Sequence, residues 1–159
     1  MAEETDTAEL LESTRWANEF AWPEIQALAT HLQVQRRPKG ETICREGQTD
    51  PSLFIIAKGS VAIHKQDAGE RAKLLAKLGP GQTLGEMALL DGQPRSATAV
   101  AAEDLVLLVF TKAELDRLVE EKPLLAVKLL WKLARFLSQR LRQTSGALAE
   151  HLGSPPPKR

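Results

Sequence analysis

The chain has 159 residues, 43% of them apolar, with 21 Lys and Arg against 21 Asp and Glu. That length supports one domain with a sizeable core, and the even charge balance lacks the cationic excess that drives non-specific nucleic-acid binding. Cys44 has no second cysteine to pair with, no charged-then-apolar segment opens the chain, and no apolar run nears the ~18 residues of a membrane span. A protein of the reducing cytoplasm, without membrane contact, is expected.

Residues 1–20 begin acidic and weakly helical, with Glu3, Glu4, Asp6, Glu9 and Glu12, and are predicted to be a frayed leader with Trp16 and Phe20 as anchors on the domain. Pro23 at a first helical position, followed by Ile25, Leu28, Ala29 and Leu32, predicts a short amphipathic helix ending near His31. From 33 to 110 the apolar period changes to two. Stretches at 34–37, 42–44, 53–57, 61–65, 73–78 and 98–110 are punctuated by Pro38-Lys39-Gly40, Gly47, Gly59, Asp67-Ala68-Gly69 and Gly79-Pro80-Gly81, the pattern of an antiparallel roll or barrel. Cys44 falls in one of these stretches and reads as a buried small hydrophobe.

A single helical turn is predicted at 86–90. Thr111-Lys-Ala-Glu114 reads as a capping box that opens a helix to about residue 121, and Pro123 opens a longer one to about residue 150. The expected organisation is an acidic leader at 1–20, a β-roll with flanking helices at 21–122, a long helix at 123–151 and a disordered Pro-rich tail at 152–159.

The most informative stretch is 84–98, Leu-Gly-Glu-Met-Ala-Leu-Leu-Asp-Gly-Gln-Pro-Arg-Ser-Ala-Thr. A simple anion cradle has no use for a glutamate. A ligand carrying both a phosphate and a ribose hydroxyl does, because Glu86 can accept from the hydroxyl while Arg95 forks onto the phosphate oxygens. Gly85 lets a ligand approach the backbone, and N–H groups of the following turn face an anion. The structural alternatives are a helix-start acid for Glu86, a solvated arginine for Arg95 and an ordinary strand residue for Ser96.

These residues resemble the cyclic nucleotide-binding domains of catabolite activator proteins, regulatory subunits of cyclic-AMP-dependent kinase and cyclic-nucleotide-gated channels. The phosphate-binding cassette of that family runs Phe-Gly-Glu, an apolar residue, Ala-Leu, a few variable residues, then Pro-Arg-small-Ala-Thr; Leu84 is the clear departure. Upstream, Gly40, Gly47 and Gly59 sit in a run similar to the family's roll, so the likeness covers about residues 21–145. The resemblance implies a mainly β fold, an eight-stranded antiparallel β-roll (jelly-roll-like) with a short phosphate-binding helix and a long C-terminal helix. It implies a cyclic nucleotide ligand, cyclic AMP ahead of cyclic GMP, with Gly85, Glu86, Met87, Ala88, Arg95, Ser96 and Ala97 around it; no cofactor or metal is expected. Transcription factors of the family follow the long helix with a helix-turn-helix; none follows here, and a stand-alone module is expected.

In the long helix, Val127, Leu130, Ala134, Leu137, Leu141, Thr144 and Leu148 alternate steps of three and four, an a/d seam that predicts a homodimer, the alternative being one broad face that serves the domain's own core. Leu125, Leu129, Leu133 and Phe136 form a second stripe for packing on the roll. Arg140-Leu-Arg-Gln-Thr144-Ser145 resembles the end of the central helix of the catabolite activators, where a Thr-Ser pair contacts the base, which implies that role for Thr144 and Ser145. His31, His64 and His151 lack metal-ligand spacing, and neither Ser96 nor Cys44 has a histidine in a partner motif, so enzyme activity is not expected. The expected function is a regulatory module that passes ligand binding through its long helix to a second protomer or an effector protein. The rival is a dimeric scaffold that binds no nucleotide.

Overall fold

Two unbroken apolar runs, at 53–56 and 105–110, become strands with a core on each face. In the computed structural model, which describes residues 6–66, 68–69 and 71–153, eight antiparallel strands form two four-stranded sheets. One sheet has the order β1 (Gln33–Arg37), β8 (Leu105–Thr111), β3 (Ser52–Lys58) and β6 (Thr83–Leu84). The other has β2 (Thr42–Cys44), β7 (Thr98–Ala101), β4 (Val61–Gln66) and β5 (Ala72–Leu78). Period-two alternation sorts the side chains: Phe54, Ile56, Leu105, Leu107 and Val109 meet Ile43, Cys44, Val61 and Ala99 between the sheets, while Leu53, Ile55, Val106, Leu108 and Phe110 face the helices. The register, with Phe54 opposite Val109 and Ile55 opposite Leu108, keeps each core continuous across the strand pair.

The β-roll expected from the sequence is present. The stretch predicted at 98–110 is divided at 102–104, and its two halves belong to different sheets. Two-residue β6 was too short to show a period.

The leader is a correction. Residues 1–5 lie outside the described residues, but α1 (Thr7–Glu12), capped by Asp6, buries Ala8, Leu10 and Leu11 in the helix-side core, with Glu9 and Glu12 outward. Of the acidic residues that suggested fraying, Glu9 and Glu12 are the solvent face of an amphipathic turn and Asp6 is its cap. A 3-10 turn at Arg15–Ala17 follows, Trp16 stacks on Phe20 at 5.6 Å, and α2 (Trp22–Ala29) leads into β1.

Glu86–Asp91 forms α3, Lys112–Glu121 forms α4 and Pro123–Gly153 forms α5. Half of the expected capping box is made: Thr111 accepts from the Glu114 N–H at 3.2 Å, while the Glu114 carboxylate goes to His31 (2.8 Å) and Arg117. Leu125, Ala126, Leu129 and Leu133 bind α5 to the core, and from Ala134 onward the helix has no buried residue. The helix continues through Gly146. No described helix is long and apolar enough to cross a membrane, and residues 154–159 of the predicted tail lie outside the described residues.

The exposed apolar row of α5 differs in register from the stripe expected from the sequence. Leu130 packs on the helix-side core. The exposed row is Leu124, Val127, Trp131, Ala134, Ser138, Leu141, Ser145, Leu148 and Leu152, again in alternating steps of three and four.

Candidate functional site

Strand β6 ends at Leu84, and Gly85 turns the chain into α3 with φ +92°, a conformation that side-chain-bearing residues rarely adopt. Space also demands glycine: a Cβ here would collide with the Arg95 guanidinium and the Ser52 carbonyl. Arg95 therefore passes directly over the Gly85 backbone.

Arg95 is only 6% exposed. Its main chain is pinned on both sides, with its N–H donating to the Gln48 carbonyl and its carbonyl accepting from the Gly47 N–H, each at 2.8 Å. Its Nη2 donates to the Ser52 carbonyl at 2.7 Å and lies 3.4 Å from Asp50 Oδ2, and the guanidinium carbon stands 5.4 Å from the centre of the Phe54 ring. Nε is buried and has no hydrogen-bond partner among the described residues. A guanidinium has five N–H donors in a fixed fork, so this buried cation retains donor capacity that the protein does not use.

Glu86, 2% exposed, is the complementary charge. Thr83 donates its hydroxyl to Oε1, and the other oxygen, Oε2, lies 3.8 Å from Arg140 Nη1 of α5. That separation is too long for a good hydrogen bond, so Oε2 remains able to accept one. Burying two charges with so few protein partners is costly, and a ligand that meets both would recover that cost.

Both groups line one cavity of about 1100 Å³. Gly85, Glu86, Met87, Ala88, Arg95, Ser96 and Ala97, all expected from the sequence, are brought together in its wall. Cys44 and Ala99 close one side from the second sheet; burial pushes the Cys44 thiol pKa up, against a smaller opposing effect of the Arg95 charge. Thr144 and Ser145 are exposed and do not line the cavity of their own chain. Phe136, Gln139, Arg140 and Gln143 line it instead. These four occupy i, i+3, i+4 and i+7 on one helix face, and at about 100° per residue Thr144 and Ser145 are rotated away from it. That spacing was visible in the sequence. The contribution of Arg15, Trp16 and Glu19 to the cavity was not, because it depends on the N-terminal segment folding back. Among the described residues, no three His, Cys, Asp or Glu side chains converge as metal ligands.

The family defined as the cyclic nucleotide-binding domain matches residues 34–122. The cyclic AMP receptor protein of Thermus thermophilus is 36% identical over 120 residues, covering 76% of this chain and 54% of that one. A crystallised cyclic nucleotide-binding domain from Methylobacillus flagellatus superposes with a TM-score of 0.79 at 26% identity, over 96% of this chain and 85% of that chain. The Thermus thermophilus catabolite activator protein gives 0.75 at 34% identity, over 84% and 61%. The chain spans about half the length of the receptor-type relatives it matches. The β-roll agrees with these likenesses, and the chain belongs to the cyclic nucleotide-binding domain family.

Proposed function

We propose that the protein is a cytoplasmic regulatory module that binds cyclic AMP. The observation that carries this reading is the pair of buried, under-partnered charges, Arg95 and Glu86, in one cavity. Arg95 binds the cyclic phosphate through a charge-assisted fork. Glu86 accepts the ribose 2′-hydroxyl on Oε2. Backbone N–H groups at the start of α3, at Glu86, Met87 and Ala88, which an α-helix leaves unpaired, face the anion, with the Ser96 hydroxyl and Ala97 N–H opposite. The name of the Thermus relative, a cyclic AMP receptor, supports the choice of ligand.

Binding is relayed through α5. A ribose hydroxyl on Oε2 takes the position toward which Arg140 reaches, and so changes the balance between arrangements of the helix beyond Leu133. The apolar row from Leu124 to Leu152 fits a second copy of the chain, because steps of three and four over four heptads are what a self-pairing coiled coil needs. Ser145 is a seam position and Thr144 adjoins it, so in a dimer both belong to the region between the helices. The readout is the changed helix pair, presented to an effector protein; nucleic acid and membrane have no part in it.

Calorimetric titration with cyclic AMP and with adenosine 5′-monophosphate tests this. One saturable site per chain for the cyclic compound and much weaker binding of the open one is the expected result. A dimer that takes up neither is the scaffold.

A further inference from the structure

We infer that Thr83 is a positioning residue of the cavity: its hydroxyl holds the Glu86 carboxylate in the orientation that leaves Oε2 open, and so sets how strongly the site prefers a ribose to a 2′-deoxyribose. The inference rests on the cyclic nucleotide reading, in which Glu86 accepts the 2′-hydroxyl. Thr83 acts through Glu86 and not on the ligand.

Thr83 is 7% exposed and lies three residues before Glu86. The backbone around the pair is fixed from both sides. Thr83 stands opposite Ile55 in the β3–β6 ladder, the Gln82 carbonyl accepts from the Ile56 N–H at 3.0 Å, and the Gly85 carbonyl accepts from the Leu89 N–H at 3.0 Å as α3 begins. A β-branched side chain is stiff at χ1, so the hydroxyl is a donor with a settled direction. An ionised carboxylate only accepts, and the single hydroxyl proton therefore goes to Glu86 Oε1.

The Glu86 side chain makes no other hydrogen bond among the described residues. The cation within reach is Arg140, more than half exposed, whose Nη1 lies 3.8 Å from Oε2. Without the Thr83 hydroxyl, the carboxylate is free to turn about its own bonds and close on that guanidinium, which covers the oxygen the ribose needs. Thr83 keeps the two apart, and the carboxylate is ordered before the ligand arrives.

The test is calorimetric titration of the full chain and of its Thr83→Val and Thr83→Ser variants with cyclic AMP and with 2′-deoxy cyclic AMP. Valine keeps the shape of threonine without the donor; serine keeps the donor without the methyl group. The unaltered chain should bind cyclic AMP about ten- to a hundredfold more tightly than the deoxy compound, the worth of a hydrogen bond to a charged group. Thr83→Val should lose about tenfold toward cyclic AMP and less than about threefold toward the deoxy compound, while Thr83→Ser should keep the original preference to within about threefold. Binding of the deoxy compound reports in each variant that the cavity is folded. A Thr83→Val variant that keeps the full preference or weakens both ligands by the same factor, or a Thr83→Ser variant that behaves like the valine one, overturns the inference and leaves the cyclic nucleotide reading in place. An unaltered chain that binds both compounds equally removes the 2′-hydroxyl from Glu86 and the inference with it; one that binds neither overturns the cyclic nucleotide reading as well.

Discussion

Replacing Arg95 with alanine separates ligand binding from folding. Two charge-assisted hydrogen bonds to a phosphate, at ~1.5–3 kcal/mol each, sum to ~3–6 kcal/mol, or about a hundredfold to ten-thousandfold in Kd. The cost to the fold is much smaller. The substitution removes the 2.7 Å bond to the Ser52 carbonyl and the contact with Phe54, but it also removes a buried cation whose Nε has no acceptor and whose carboxylate partner, Asp50, stands at 3.4 Å and reaches solvent. With terms of ~1 kcal/mol lost against relief of an uncompensated charge, the net change should stay within about 1 kcal/mol, or roughly 2–4 °C for a chain of this size. The unaltered protein should gain about 2.7 kcal/mol from ligand at a hundred times Kd, and the variant nothing at the same concentration. Thermal scans with and without cyclic AMP, paired with calorimetry, read both quantities. A variant whose affinity stays within about threefold of the original refutes the assignment of Arg95 to the phosphate.

Gly85→Ala leaves both charges in place yet should weaken cyclic AMP binding at least tenfold, because the added Cβ displaces the Arg95 head; strain at φ +92° should also cost about 1–2 kcal/mol, visible as a lower Tm. Leu141→Arg combined with Leu148→Arg should convert a dimer to a monomer in sedimentation without changing the melting of the roll, since both leucines are exposed; an unaltered chain that sediments as a monomer removes the seam from the account. The hydrogen bond from His31 holds the Glu114 carboxyl below the usual carboxylate range. Unfolded chains then bind more protons than folded ones in that region, so this stabilisation is fully present above the ordinary carboxylate value and is lost as pH falls through the lowered one. Glu114→Gln should therefore lower stability most in the neutral region, where the carboxylate contribution is fully present, and converge with the unaltered chain at low pH, so that the acid limb of the stability profile flattens.

How much of this was legible in the sequence varied with the range of the interactions. The cavity wall was readable because Gly85, Glu86, Arg95 and Ser96 lie within a dozen residues of one another, and the need for glycine at 85 is a local backbone demand reinforced by the Arg95 side chain and the Ser52 carbonyl. The two-faced strands announced themselves through unbroken apolar runs. The N-terminal segment misled because five early acids outweigh two leucines in composition, yet Leu10 and Leu11 are buried by contacts with distant elements. In α5 the alternating steps of three and four were legible, but the packing of Leu130 on the helix-side core, which shifts the exposed row, depends on contacts with distant elements. The same choice of phase turns Gln139, Arg140 and Gln143 into the cavity and carries Thr144 and Ser145 away from it.

The most direct measurement is a crystal structure of the protein grown with cyclic AMP. The expected result has phosphate oxygens about 2.7–2.9 Å from the Arg95 nitrogens and the ribose 2′-hydroxyl donating to Glu86. Cyclic AMP bound elsewhere, or seated in the cavity with its phosphate and ribose turned away from those two side chains, contradicts the account.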